Sequence, residues 1–471
     1  LILEREQIQR YMRHIIMPEI GGPGQKKLLD SSVLVHCESI SNSAVMLYYL
    51  AAMGIGKIDC YAENIDGMEF ISRNAKGLNP DLQLQIADVP GIEEYDYTDN
   101  YDIIIIFYEK AVQSSRINAT DTPAIYTAVA GDWGYIRTVR TKESISQIID
   151  EINNLYAEIK NPEYFSLFSK AYLGFNCTLT AIEAVKVLLN IGSVSEQALK
   201  YDLSTYNFGY NQFNNAKKEY VINPENARKE LSKAKVLIIG SGGLGSPAAY
   251  TLAMSGIEKL GMIDFDTVET SNLNRQILHS TDTIGMAKVK SAEIFLKRLN
   301  SDVEICTYNE KFSLENAEAL IADYDMVIDG LDNLPNRYLL NDVCYFLKKP
   351  WLEAGVLRFD GLATTILPDK SICYRCIFPE VKGRGPIPSC SETGVLGAVP
   401  GVMGMIQAIE AIKYLTGVGV PLVNKLLVYD ALNIDFTLLD IDRSPHCKLC
   451  GTDPTIKTPK EYEFVCTNQF Q

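Results

Sequence analysis

The residues whose types and spacing could do chemistry are a glycine run and two pairs of cysteines. Gly240-Ser241-Gly242-Gly243-Leu244-Gly245 follows the apolar run Val236–Ile239 and precedes a helical pattern reaching about Ser255; a second apolar run then closes on Asp264. In a strand, glycine turn, helix, strand unit, amides at the helix N-terminus can meet a phosphate, because glycine permits the tight turn and the close approach. An acidic residue closing the next strand can hold ribose hydroxyls. The stretch predicts a nucleotide site without naming the nucleotide: Asp264 suits a dinucleotide dehydrogenase equally well. Separately, Cys373-x-x-Cys376 and Cys447-x-x-Cys450 are two chelating pairs. They predict a tetrahedral four-thiolate zinc site, the alternative being four buried free thiols. The long gap between the pairs requires them to meet through the fold. Four protein ligands leave no open position, so such a site would be structural.

The elements that must position these groups sit in a chain of 471 residues, long enough for two or more domains with sizeable cores. No uncharged apolar run approaches a membrane span and no signal peptide is visible, so the expectation is a cytoplasmic chain with no membrane partner. A net charge of −15 argues against nucleic acid as the main partner. Eleven cysteines without a secretion signal suggest reduced thiols and a metal site. The four histidines show no pairing, so His279 and the rest do not suggest histidine chemistry.

From the N-terminus, Glu4 to Ile16 reads as a helical arm, followed by a turn at Pro18–Gly24 and a short helix to about Leu29. Val33–His36 reads as a strand, Ala44–Met53 as a helix and Lys57–Tyr61 as a strand. Pairing Val33 with Val236 lays this region on the glycine-run unit. Later landmarks follow in the same order: Tyr101-Asp102-Ile103 with Tyr324-Asp325-Met326, Ala181–Lys186 with Ala408–Lys413, and Tyr201-Asp202-Leu203 with Tyr429-Asp430-Ala431. We read an internal duplication: an α/β fold of two tandem Rossmann-like domains, doubly wound on mostly parallel sheets, over 1–222 and 223–471. The copies are unequal. Cys37, Ser39, Ile40 and Asn42 replace the glycines, and Ala62 stands where the second copy has Asp264. The first copy is therefore not expected to bind a nucleotide in the usual way, leaving it a structural or substrate-binding role.

The second half resembles the activating-enzyme family that includes MoeB, ThiF and the ubiquitin-activating enzymes. The matching pieces are the glycine run, Ile263-Asp264-Phe265-Asp266, Ser271–Gln276, Lys288, Asp329-Gly330-Leu331-Asp332-Asn333 with Arg337, and both cysteine pairs. The first half resembles the family more faintly, at Arg10–Ile16 and Gln25–Val35. The resemblance implies adenylation of the C-terminal carboxylate of a ubiquitin-like or sulfur-carrier protein, with ATP, Mg2+ and Zn2+. A related branch adenylates a ribosomal peptide, and a scaffold without catalysis is the rival from another class. The family usually works as a dimer with an arginine entering from the partner. Here the partner looks fused, giving a pseudodimer with one working site completed by Arg13; further association of two chains stays open.

On that resemblance, Gly240, Gly242, Gly243 and Gly245 cradle phosphate, Asp264 binds ribose, and Asn272 orients phosphate or ribose. Asp266, Gln276, Asn333 and Arg337 complete the nucleotide site. Carboxylate attack on the α-phosphorus brings anions together, so positioning and charge neutralisation dominate. Arg275 and Lys288, supported by Arg13, supply the cations, and Asp332 holds magnesium. Cys390, in a Gly- and Pro-rich segment, is either an acceptor of the activated acyl group or a bystander.

Overall fold

The computed structural model describes residues 3–89, 101–112, 121–140, 145–157, 162–210, 223–379 and 393–462. Cys390 lies outside the described residues. Two eight-stranded sheets form. The first contains β1 (Ser32–Ser39), β2 (Lys57–Asn64), β3 (Gln83–Asp88), β4 (Ile103–Tyr108), β5 (Ala124–Ala130), β6 (Trp133–Val139), β7 (Leu199–Asp202) and β8 (Asn207–Tyr210). The second contains β9 (Lys235–Ile239), β10 (Lys259–Ile263), β11 (Glu304–Tyr308), β12 (Met326–Asp329), β13 (Trp351–Leu357), β14 (Asp360–Ile366), β15 (Lys425–Asp430) and β16 (Asp435–Asp440). Their orders are β3-β2-β1-β4-β5-β6-β7-β8 and β11-β10-β9-β12-β13-β14-β15-β16. In each sheet the strands are parallel through the fifth position and antiparallel beyond it.

The register reproduces the equivalences read from the sequence. Val33 faces Ile103 across β1 and β4, as Val236 faces Met326 across β9 and β12. Gly134 faces Tyr201, as Gly361 faces Tyr429. Central strands such as β4, β5 and β12 are buried throughout, as expected of parallel strands covered on both faces.

The halves meet along the helices Pro162–Leu189 and Ala398–Thr416. A glycine stands in each where they pack: a Cβ on Gly174 would lie 2.9 Å from Met405 Sδ, and one on Gly401 would lie 2.8 Å from Thr178 Cγ2. Removing side chains at a helix crossing brings the backbones close. Each helix also buries an ion pair, Glu183–Lys186 at 2.7 Å and Glu410–Lys413 at 3.1 Å. Each glutamate accepts a further bond from a threonine hydroxyl, Thr138 or Thr365, and from a backbone amide, Ser195 or Leu422. Matching backbone bonds cross between the halves, from Ser193 N to Leu432 O and from Val420 N to Ser204 O, both 2.8 Å. One apolar cluster runs from Met17 to Ile434 through both halves.

Within the first helix, Phe168–Leu189 is long and apolar enough to cross a membrane, but 89% of its most apolar window is buried inside the protein. Its apolar surface is shared between its own sheet, the helix Ile40–Met53 and the interface between halves. The structure also redraws the arm. It is two short helices, Arg5–Arg10 and Met12–Ile15, and the expected turn at Pro18–Gly24 is partly helical, since a helix spans Gly21–Asp30. Pro23 falls in that helix's first turn, where no intrahelical N–H bond is needed.

The buried pairs set one expectation. Glu410→Leu strands the Lys413 ammonium and should cost about 3–5 kcal/mol in urea unfolding, whereas Glu410→Leu combined with Lys413→Met should recover only part of the loss, since the Thr365 hydroxyl and the Leu422 amide still lack their acceptor.

Candidate functional site

The site lies at the carboxyl ends of β9, β10 and β12. Gly240 leaves β9 at φ +96°, and a Cβ there would stand 2.5 Å from the Gly330 carbonyl oxygen beyond β12. The loop must therefore lack a side chain at that point whatever it binds. Gly245 opens the helix Gly245–Met254, and its Cβ would meet the Gly240 oxygen at 1.9 Å. Asp264 fastens the loop: its carboxylate accepts from Ser241 N at 2.8 Å, Ser241 Oγ at 2.9 Å and Asp266 N at 2.9 Å.

His279 supports the loop from below, a part the sequence did not reveal. Its ring is buried, with Nε2 3.2 Å from the Ser241 carbonyl and Nδ1 3.0 Å from Ser291 Oγ. A carbonyl can only accept, so Nε2 carries the proton and Nδ1 accepts from the serine. Burial, and then the Lys288 charge, lower the His279 pKa to about 3. The ring is neutral at pH 7, a fixed strut between the loop and the helix Lys288–Leu299.

The charged groups gather around this loop. Lys288, 9% exposed, pairs with Asp266 at 2.8 Å. A Cβ on Gly243 would lie 3.6 Å from Arg275 Cδ, so the arginine stem runs beside the glycines. Arg275 Nη1 donates to Ser271 O and Asn274 Oδ1, both at 2.8 Å. Asn272 is buried and its Oδ1 accepts from Glu269 N, which closes a short 3-10 turn. Gln276 Nε2 would be 3.5 Å from a Cβ on Gly242. Its Oε1 and Asn274 Nδ2 are buried polar atoms with no partner among the described residues. Unpaired groups beside a loop that has no room for side chains fit a polar ligand such as a nucleotide.

Asp332 is exposed beyond β12, where open parallel sheets take ligands. Asn333 is the N-cap of the helix Leu334–Leu347, accepting from Asn336 N at 3.1 Å and donating to Asp332 Oδ1 at 3.3 Å. Arg337 does not face the opening. Its guanidinium pairs with Asp329 at 3.0 Å and Glu353 at 3.2 Å, and donates to Leu331 O at 2.8 Å and Ala354 O at 2.7 Å. These bonds tie Arg337 into a scaffold behind the Asp332 turn. Burial, opposed by Arg337, raises Asp329 to about 6 and Glu353 to about 8. Glu353 was readable only as a lone charge inside the apolar strand Trp351–Leu357.

The first half reaches this site through its arm. Arg13 is half-buried, and its carbonyl accepts from Val395 N at 3.2 Å. Next to it, buried His14 accepts from Gly397 N through Nε2 at 2.9 Å, while Nδ1 donates to Gln25 Oε1 at 2.9 Å. Gly397 in turn abuts the Asn274 carbonyl, one residue before Arg275. Burial lowers the His14 pKa to about 4, with the Arg275 charge adding to the effect. Arg10 joins the halves again, donating to Leu78 O at 2.8 Å and to Thr281 Oγ1 at 3.3 Å.

The two cysteine pairs do meet. The sulfurs of Cys373, Cys376, Cys447 and Cys450 all lie within 4.8 Å of one another, the closest 3.4 to 3.5 Å apart. Tetrahedral zinc with bonds of about 2.3 Å separates sulfurs by about 3.8 Å, so the donor set fits such an ion. Arg375, inside the first pair, makes a buried double hydrogen bond to Asp342 on the helix that Asn333 caps. The cysteine cluster thereby braces the helix that follows the Asp332 turn.

A model of the ThiF family matches residues 216–451. The sulfur carrier protein adenylyltransferase of Thermus thermophilus is 39% identical over 250 residues, covering 52% of this chain and 92% of that protein. The SAMP-activating enzyme E1 of Haloferax volcanii is 43% identical over 230 residues, covering 49% of this chain and 84% of that protein. The adenylyltransferase and sulfurtransferase MOCS3 of Mus musculus is 42% identical over 237 residues, and the chain spans about half of its length.

The His279 strut has a pH signature. Its folded pKa lies below the ordinary histidine value of about 6.5, so the unfolded chain binds more protons between those values and stability falls as pH drops through that window. The loss through this group should reach about 2 kcal/mol by pH 5. Urea unfolding of wild type and His279→Gln should show the largest difference near pH 7.5, shrinking toward pH 5; a difference independent of pH would refute the buried neutral ring.

Proposed function

The chain belongs to the ThiF family, and on that premise we propose that its second half uses ATP to adenylate the C-terminal carboxylate of a ubiquitin-like or sulfur-carrier protein, releasing pyrophosphate. The observation that carries the reading is the junction at Gly397: a residue of the first half is bonded there, and the same glycine touches Asn274 beside Arg275. The second half is the catalytic unit and the first a fused, inactive partner, the division falling near residue 222. The repeated strand order and the reciprocal backbone bonds support that arrangement, since a twofold interface uses each contact twice.

In this mechanism the loop amides and the N-terminus of the helix Gly245–Met254 hold phosphate oxygens. Asp264 keeps the loop shaped and has remaining acceptor capacity for ribose. Asn272 and Gln276 line the same wall. The attacking carboxylate is already ionised, so no general base is needed. Lys288 exchanges Asp266 for phosphate, and Arg275 with Arg13 offsets the charge that builds up as pyrophosphate leaves. Asp332 would hold magnesium, a hard cation that takes oxygen ligands and would offset phosphate charge. Asn333 and Arg337 hold the Asp332 turn at the edge of the nucleotide site. Cys373, Cys376, Cys447 and Cys450 would hold zinc, which would supply rigidity, since four protein ligands leave no open position.

Pyrophosphate exchange into ATP tests the reading. It should require magnesium and a carrier protein ending in Gly-Gly, and should fall about 10²-fold or more in Asp332→Ala and Arg275→Ala. Exchange driven by a short peptide alone would reassign the acceptor to peptide maturation. Absence of both exchange and ATP binding would leave a scaffold. Chelation should remove one zinc per chain and lower Tm, and Cys447→Ser should abolish the metal.

A further inference from the structure

The first half lacks a phosphate-binding loop, yet its counterpart of that loop is not empty. β1 ends at Ser39 and the helix Ile40–Met53 begins at the next residue. Glu109 lies as far beyond Ile103 as Asp332 lies beyond Met326, and those two strand residues occupy the same register. Where Asp332 stays exposed, Glu109 turns inward. Its Oε1 accepts from Ser39 N at 3.0 Å, and its Oε2 accepts from Asn42 Nδ2. Ser39 and Asn42 are the residues that replace Gly242 and Gly245. Lys170 Nζ donates to Asn42 Oδ1 at 2.7 Å from the interface helix, and the Lys170 and Lys110 charges both favour the ionised carboxyl.

We infer that the first half carries its own anion: the Glu109 carboxylate takes the seat at the strand–helix junction that a nucleotide phosphate takes in a glycine-loop fold, so this half is held in a permanently occupied form. A carboxylate resembles a phosphate in accepting backbone and amide N–H bonds and in its attraction to a helix N-terminus. Burial raises the Glu109 pKa, and the Asn42 and Ser39 bonds oppose that rise. Neighbouring Glu38, which accepts from Glu109 N at 3.1 Å, is pushed up to about 7 chiefly by burial. Losing the glycines and gaining an inward glutamate are two parts of one change. The half no longer needs a ligand to order the ends of its central strands, and the arm it presents to the other half does not depend on nucleotide.

Anion rescue tests this in the full chain. Glu109→Ala empties the seat and should lower Tm by several degrees. Inorganic phosphate, compared with chloride at equal ionic strength, should restore most of that loss, beyond the increment that phosphate gives the wild type. Glu109→Gln keeps the volume and the fold but not the charge. It should lose less and gain only the wild-type increment, because its side chain fills the seat. An unchanged Tm in Glu109→Ala, a loss that phosphate does not repair, or an equal phosphate gain in Glu109→Gln would each overturn the inference.

Discussion

The close crossing of two long helices is the constraint on which the molecule depends. Gly174 and Gly401 remove the side chains that would hold Pro162–Leu189 and Ala398–Thr416 apart. The approach helps bury most of Phe168–Leu189 and of Ala398–Thr416, so the ionised groups inside them must be satisfied internally. Glu183 with Lys186 and Glu410 with Lys413 meet that demand, each glutamate bonded to a strand of its own sheet and to a loop amide. The crossing also sets where the arm falls. With the halves locked, His14 reaches Gly397 and Arg13 comes to lie at Val395.

One topology thus serves two states. In the second half the chain leaves β9 through a loop that tolerates no side chain at Gly240 or Gly245. That loop is held by Asp264 above and His279 below. In the first half β1 passes directly into its helix, and a carboxylate from the neighbouring strand end closes the junction. The difference is local and leaves the sheet order unchanged, because strand order is set by the apolar runs and the crossovers between them.

The second half separates side chains that face the opening from side chains that hold them there. Exposed Asp332 belongs to the first group. Arg337, Asp329 and Glu353 belong to the second, forming a buried charge cluster behind the Asp332 turn. The cysteine cluster extends that support through Arg375 and Asp342. A carboxylate can stay exposed at a strand end only if the backbone beneath it is fixed by other means.

The sequence by itself determined the parts whose chemistry is local. A glycine run between a strand and a helix, two Cys-x-x-Cys pairs, and three landmarks repeated in order were enough to read two α/β units, the unequal loops and a four-sulfur cluster. Side-chain type and short spacing carry those signals directly. The tertiary structure alone decided what depends on groups far apart in the chain. His14 and His279 looked idle because their partners, Gly397 and Ser241, come from other elements. Arg337 gave no sign of its supporting bonds because Glu353 and Asp329 become its neighbours only when β12 and β13 pair. Glu109 carried no signal at all, since its partners lie across β1 and on the helix after it. Which polar group faces a ligand and which faces its own protein is settled by the packing of distant strands and helices, and a local pattern does not encode that choice.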